Sequence, residues 1–372
     1  MSMSDKKLDE LIASSNLVFK SAASKPIWVI AFSGGKDSSV LLDLALRFLA
    51  SNENRVKHAV IVYSDTLLEP PPLREYAIRV LDSIESNVEL RGINIRVLRV
   101  SPLVTNEDIV EMVIRRGYPA PSVRFRWCTD RWKIRPARVV FKRIFENPGR
   151  DKIAVFTGIR AEEAAHRSRR IAMGYVYSKR VSDTFGGMPF APLYAWRASN
   201  VWAYIREFEP IWGDPSWKIL EKLYAGLETV RGGCWACTLI ARDRAWEALV
   251  RARLVDKELY ALMTVWKRLW LHFSRVKPEY WRYIKRRRKT KKGKEWKFVY
   301  SKLREEARLA LGLCLRNILL HEHYPRDVSL QLIPKLEAIL EKYNKYYESL
   351  RERLESDKTA LTLIKMCNIE RV

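Results

Sequence analysis

The sequence predicts an α/β protein, a doubly wound parallel sheet followed by a C-terminal helical domain. Two observations lead there. Over the first half of the chain, short apolar runs alternate with stretches of helical periodicity, and strands alternating with helices imply right-handed crossovers and parallel pairing. From about Ala241 the runs give way to long helical patterns rich in Trp, Leu, Lys and Arg. This divides the chain into an N-terminal helical extension at 1–24, a sheet domain at 25–240 and a basic helical domain at 241–372.

Each element has its own signal. The apolar run Trp28-Val29-Ile30-Ala31-Phe32 reads as a first strand, and Val40 to Leu46 as the helix after it. Ala59 to Tyr63 reads as a second buried strand, residues 73–87 as a helix, and Ile93 to Val100 as a third, alternating strand. A helix from about Pro136 to Phe145 precedes a fourth strand, Ile153 to Phe156. Doubly wound sheets bind ligands at the carboxyl ends of their strands. Here those ends carry Ser33 to Ser39, then Ser64-Asp65-Thr66, Ser101-Pro102 and Thr157-Gly158-Ile159-Arg160.

The first of these, Ser33-Gly34-Gly35-Lys36-Asp37-Ser38-Ser39, has the chemistry of a phosphate cradle. Two glycines let the backbone turn tightly and present N–H groups, the following helix aims its positive end into the loop, and Lys36 adds a charge. A glycine turn that merely starts a helix is the plainer alternative. The spacing excludes a Walker loop and a dinucleotide fingerprint. Ser-Gly-Gly-Lys-Asp-Ser resembles the PP-loop of the ATP pyrophosphatase superfamily, whose members have the adenine nucleotide alpha hydrolase-like fold and split ATP between its α and β phosphates. That resemblance implies ATP and Mg²⁺ as cofactors, Ser33 to Ser39 as the pyrophosphate holder, and catalytic work for Lys36, Asp37 and Arg160. It also places Asp65 and Thr66, with Glu69 just after, beside the adenosine, where a carboxylate can help hold Mg²⁺. A strand-ending Asp that caps the next turn is the alternative.

Further on, Thr157-Gly158-Ile159-Arg160-Ala161-Glu162-Glu163 with Arg167 resembles the Gly-x-Arg-x-x-Glu-Ser-x-x-Arg motif of phosphoadenosine phosphosulfate (PAPS) reductase relatives, with Ala164 at the serine position. The motif implies that Gly158, Arg160 and Arg167 meet the nucleotide, the guanidinium groups clamping phosphates. Pro192-Leu193-Tyr194-Ala195-Trp196 and Asn200-Val201-Trp202-Ala203-Tyr204-Ile205 resemble another segment of that family and read as helix cap and core. The segments around Cys128 and around Cys234 and Cys237 resemble the two cysteine segments of the ATP pyrophosphatase from bacterial DNA phosphorothioation systems. The resemblance spans roughly residues 25–245. It implies a [4Fe–4S] cluster on Cys128, Cys234 and Cys237, with Cys314 ahead of Cys367 as the fourth ligand. Zinc and a redox Cys-x-x-Cys are the competing chemistries, because spacing does not identify the ion.

The formal net charge is +25 over 372 residues, which predicts salt-sensitive attraction to polyanions, nucleic acid first. The densest cationic stretch is Lys285 to Lys294, bordered by Trp281, Tyr283, Trp296 and Tyr300. Cations with interleaved rings suit phosphate contacts and base stacking, a solvated inter-helix loop being the alternative. Glutamine occurs only at Gln331 among abundant Lys, Arg and Glu, which fits a thermophilic source. No signal peptide or roughly 20-residue apolar span is apparent, so a cytoplasmic location is expected. Together these readings predict an ATP-dependent enzyme that adenylates a substrate, nucleic acid first, releasing pyrophosphate for sulfur transfer. A sulfur-donor protein such as a cysteine desulfurase is the implied partner, DNA or tRNA the implied acceptor, and a homodimer the implied assembly. The alternatives are a thiol-dependent PAPS or adenylylsulfate reductase using Cys367, and a nucleic-acid-binding protein that senses ATP.

Overall fold

The structure, a computed structural model, describes residues 3–51, 56–87, 90, 92–146, 148–162, 183–227, 233–240, 242–289 and 296–369. The chain divides into two compact units, each assembled from separated segments. The first comprises 1–66, 72–105 and 129–232, and the second 67–71, 106–128 and 233–372. Among the described residues no helix is long and apolar enough to cross a membrane.

The first unit holds a five-stranded sheet in the order β3-β2-β1-β4-β5, every pairing parallel. Its strands are β1 (Ile27–Phe32), β2 (His58–Ser64), β3 (Ile95–Val100), β4 (Ile153–Phe156) and β5 (Met188–Phe190). The four expected strands are present with small shifts at their ends. β5 was not expected: three residues containing a proline give no periodic signal, and the segment is a strand only because it lies at the sheet's edge beside β4. Register pairs Val29 with Val60 and Val155, all fully buried. That burial on both faces explains why these strands read as continuous apolar runs.

Helices cover the sheet: α1 (Met3–Ala22), α2 (Lys36–Ser51), α3 (Pro71–Ser86), α4 (Arg135–Ile144), α5 (Ala198–Glu207) and α6 (Trp217–Tyr224). The helix after the glycine turn starts at Lys36, four residues ahead of its apolar periodicity. Its first turn is polar because it faces the sheet's carboxyl edge, with Asp37 near the positive end of the helix. α1 is built into the core: Phe19 is fully buried against Trp28 (ring centroids 5.7 Å) and Phe156 (5.3 Å). Asn200 caps α5 from inside its first turn, accepting the Arg197 N–H at 2.8 Å.

The second unit packs α7 (Arg244–Arg251), α8 (Lys257–Leu271), α9 (Glu305–Leu319), α10 (Arg326–Tyr343), α11 (Tyr347–Glu355) and α12 (Lys358–Lys365) with a two-stranded antiparallel ribbon, β6 (Arg282–Lys289) and β7 (Trp296–Leu303). Its core is rich in tryptophan: Trp246, Trp266, Trp270 and Trp281 are all fully buried, and the Trp266 indole donates to the Leu311 carbonyl at 2.9 Å.

Candidate active site

The glycine turn joins β1 to α2 at the carboxyl edge of the sheet. Gly34 has φ +72° and a Cβ there would stand 2.8 Å from the Ala77 Cβ, so the turn needs glycine for both conformation and space. The hydroxyls of the turn are tied to it: Ser38 Oγ donates to the Gly35 carbonyl at 2.9 Å, accepts the Ser33 N–H at 3.2 Å and lies 3.0 Å from Ser33 Oγ. Ser39 is fully buried.

Three charged groups meet beside the turn. Lys36 Nζ stands 3.1 Å from Asp37 Oδ2, and Arg160 Nε donates to Asp37 Oδ1 at 2.8 Å. All three are almost fully buried. Lys36 and Arg160 thus bring two cationic groups into a poorly hydrated place beside the turn, where the charges of a polyanion can meet them. The strand-four segment is fitted to the turn by Gly158, whose Cβ would lie 2.8 Å from the Asp37 carbonyl oxygen. Arg160 also donates to Glu162 at 2.6 Å, while Glu162 accepts the Ala198 N–H at the start of α5. That N–H and the Arg160 guanidinium hold the Glu162 carboxyl below the usual carboxylate range.

At the end of β2, Asp65 and Thr66 are buried, and Asp65 accepts a hydrogen bond from Arg74 Nε of α3 at 2.8 Å. Arg74 went unread in the sequence because nothing in a helical pattern announces that one of its cations turns inward. Thr157, the first residue beyond β4, keeps its buried hydroxyl without a partner among the described residues. An orphaned hydroxyl at the strand ends fits a polar ligand. For Mg²⁺ the acids offer hard oxygen donors, but Asp37 and Asp65 each carry a cationic side chain. The set therefore fits an ion carried in on phosphate oxygens, not one held in a protein cage. Glu163, Ala164 and Arg167 lie outside the described residues.

The cysteines fall in the second unit. Cys128, Cys234 and Cys237 are not disulfide-bonded and are half-buried. The Cys237 N–H donates to the Cys234 carbonyl at 3.0 Å. The Cys234 thiol, with the Leu239 and Ile240 N–H groups and the Lys267 charge, outweighs burial and pulls Cys237 down to about 6. Cys314, expected as the fourth metal ligand, is instead disulfide-bonded to Cys367. Both are fully buried, and a disulfide sulfur has no thiolate to give a metal. The same bond occupies Cys367, the nucleophile of the reductase alternative. Among the described residues no group of three or more His, Cys, Asp or Glu side chains is gathered to hold a metal ion. The donor set present does not fit a four-thiolate cluster.

The described part of the cationic block, Lys285 to Lys289, lies in β6 with Tyr283, while its antiparallel partner β7 carries Trp296, Phe298 and Tyr300, and bulges interrupt the register between Arg282 and Arg286. A run of like charges has no two-residue alternation, so the sequence could not reveal the strand. Arg282 anchors the ribbon by donating to the Ser301 and Ser274 carbonyls at 2.9 and 3.1 Å, and the Arg304 guanidinium covers the Tyr283 ring at 4.8 Å. Ile284, Lys285, Arg286 and Phe298 are exposed.

The phosphoadenosine phosphosulfate reductase domain family matches residues 27–239. An uncharacterized protein of Methanocaldococcus jannaschii is 29% identical over 217 residues, which are 57% of this chain and 36% of that one. The chain thus spans about a third of the length of this curated relative. A crystal structure of PAPS reductase from Candida auris, a phosphate complex, aligns with 63% of this chain and 97% of its own, with TM-score 0.37 and 18% identity.

Proposed function

The chain belongs to the phosphoadenosine phosphosulfate reductase domain family, and from that membership we propose that it is a PP-loop enzyme that cleaves ATP between the α and β phosphates to activate an acceptor for sulfur transfer. The observation that carries this reading is the buried convergence of Lys36, Asp37 and Arg160 on the glycine turn, two cations sharing one carboxylate. An acceptor oxygen attacks the α phosphorus, the bond to the β phosphate breaks, and pyrophosphate leaves with the electron pair. Lys36, Arg160 and the turn's N–H groups neutralise the charge that gathers on the departing pyrophosphate. Mg²⁺, carried by the phosphates, would add to that neutralisation. Asp65, fixed by Arg74, borders the adenosine side, and the Thr157 hydroxyl faces the same strand ends. The terminal sulfur of the donor's persulfide then displaces AMP from the activated carbon or phosphorus, leaving acceptor and donor joined through an S–S bond, and a thiol reductant cleaves that bond to free the sulfur on the acceptor.

The acceptor we propose is nucleic acid, DNA or tRNA, on the strength of the +25 charge and the exposed cations of the β6–β7 ribbon. The donor is a sulfur-carrying protein of the cysteine desulfurase type. No step is routed through the cysteines. The test is pyrophosphate release from ATP in the presence of acceptor. Lys36→Ala should lower it by roughly 10²–10³-fold, as loss of one preorganised oxyanion-stabilising group does. Equal release by the variant and the native chain would sink the reading. Sulfite formed from PAPS at a comparable rate would move the assignment to the reductase branch.

A further inference from the structure

The first amides of an α-helix have no acceptor within the helix, and in a phosphate cradle they are the donors an anion uses. At the start of α2 one of them is already engaged. The Lys36 N–H donates to the Tyr224 hydroxyl oxygen at 2.9 Å, across 188 residues of chain. The tyrosine is seated on purposeful neighbours: its ring meets Trp202 edge-on with centroids 5.0 Å apart, and Lys36 Nζ lies 5.4 Å from its centroid. A Cβ on Gly35 would stand 3.4 Å from the Tyr224 hydroxyl, in ordinary contact, so the tyrosine lies directly against the second glycine of the turn.

Tyr224 is the last residue of α6, and the chain reverses immediately beyond it through Ala225 (φ +46°) and Gly226 (φ +78°). A left-handed alanine is a strained way to end a helix. The strain belongs to the element that delivers the hydroxyl. Unlike the Ser33 and Ser38 hydroxyls, which are part of the turn, Tyr224 reaches the turn from a different helix, so it can withdraw without unmaking the cradle.

We propose that Tyr224 is a built-in competitor for the phosphate site, its hydroxyl taking the place on the Lys36 amide that a polyphosphate oxygen requires and withdrawing as nucleotide enters. The proposal rests on the reading of the turn as a nucleotide cradle. The amide has one hydrogen and serves one strong acceptor. A phosphate oxygen is charged and binds it more strongly than a neutral phenol does, so polyphosphate displaces the tyrosine. An anion with few other contacts gains too little from the exchange. The device thereby selects polyphosphates over small anions, and lowers apparent affinity by the fraction of molecules in which the amide is taken.

The test is calorimetric titration of the full chain with inorganic pyrophosphate and with the α,β-methylene analogue of ATP. Tyr224→Phe keeps the ring, its Trp202 contact and its place over Lys36, and removes the hydroxyl that accepts the Lys36 N–H. It should bind pyrophosphate roughly three to ten times more tightly, the worth of one net hydrogen bond. Unchanged or weaker binding overturns the proposal, weaker binding marking the hydroxyl as a phosphate donor. Lys36→Ala separates the two levels: if native and Lys36→Ala chains bind both probes alike, the cradle reading itself has failed, whatever Tyr224 does. Hydrogen exchange over 217–224 in the native chain stands independent of any variant. Pyrophosphate should speed exchange there at least threefold, and slower or unaltered exchange counts against displacement.

Discussion

At Gly158 a single methyl group decides whether the end of β4 can lie against the start of α2. A Cβ would meet the Asp37 carbonyl oxygen at 2.8 Å, its carbon at 3.0 Å and the Ser38 nitrogen at 3.2 Å. These are backbone atoms and cannot swing aside. Gly158→Ala should therefore cost about 1–3 kcal/mol of stability, the range for overpacking, and should weaken pyrophosphate binding by moving Arg160 off Asp37. Thermal unfolding and titration with pyrophosphate check both halves, and unchanged values for both would show that the contact has slack. Gly34, Gly35, Lys36 and Gly158 were legible as candidate site residues because each chemistry sits beside its strand. Tyr224 and Arg74 were not, because a tyrosine ending a helix and an arginine within one carry no local mark of where they point.

Among elements, the β6–β7 ribbon is the clearest case of composition visible and conformation hidden. The cations of Lys285 to Lys294 stand out in the sequence, whereas pairing with β7 is a long-range event. If the ribbon holds a polyanion, the double charge reversal Lys285→Glu with Arg286→Glu should flatten the dependence of log affinity on log salt by about two for duplex DNA, near 0.9 for each lost phosphate contact. Both side chains are exposed, so the fold should survive. Pyrophosphate release from ATP without acceptor should be unaltered, since neither residue belongs to the cradle. An unaltered salt slope would remove the ribbon from the binding surface.

At the scale of the whole molecule, stability and its pH dependence lie in buried polar ties. In the second unit Asp357 is almost fully buried, lies 2.7 Å from His272 Nε2, accepts the Trp281 indole N–H at 2.8 Å and caps the Ala360 N–H at 3.2 Å. Burial opposes its charge, but the His272, Trp281 and Ala360 hydrogen bonds prevail and hold the carboxyl below its ordinary value of 3.8. A carboxyl depressed on folding contributes its stability in full above that ordinary value and loses it as pH falls through the folded one. Asp357→Asn should therefore be less stable by about 1–3 kcal/mol at pH 7, with the deficit shrinking below about pH 4. Denaturant unfolding at both pH values measures it, and a deficit independent of pH would remove the carboxylate charge from the account. The parallel strands and the glycine turn were determined by the sequence alone, because a strand, a tight turn and a helix N-terminus are written in neighbouring residues. The tertiary structure alone decided that Asp37 meets Arg160 123 residues away, that Tyr224 reaches the Lys36 amide, and that Cys314 bonds Cys367. Such partners are chosen by packing, and packing between distant segments leaves no trace in local spacing.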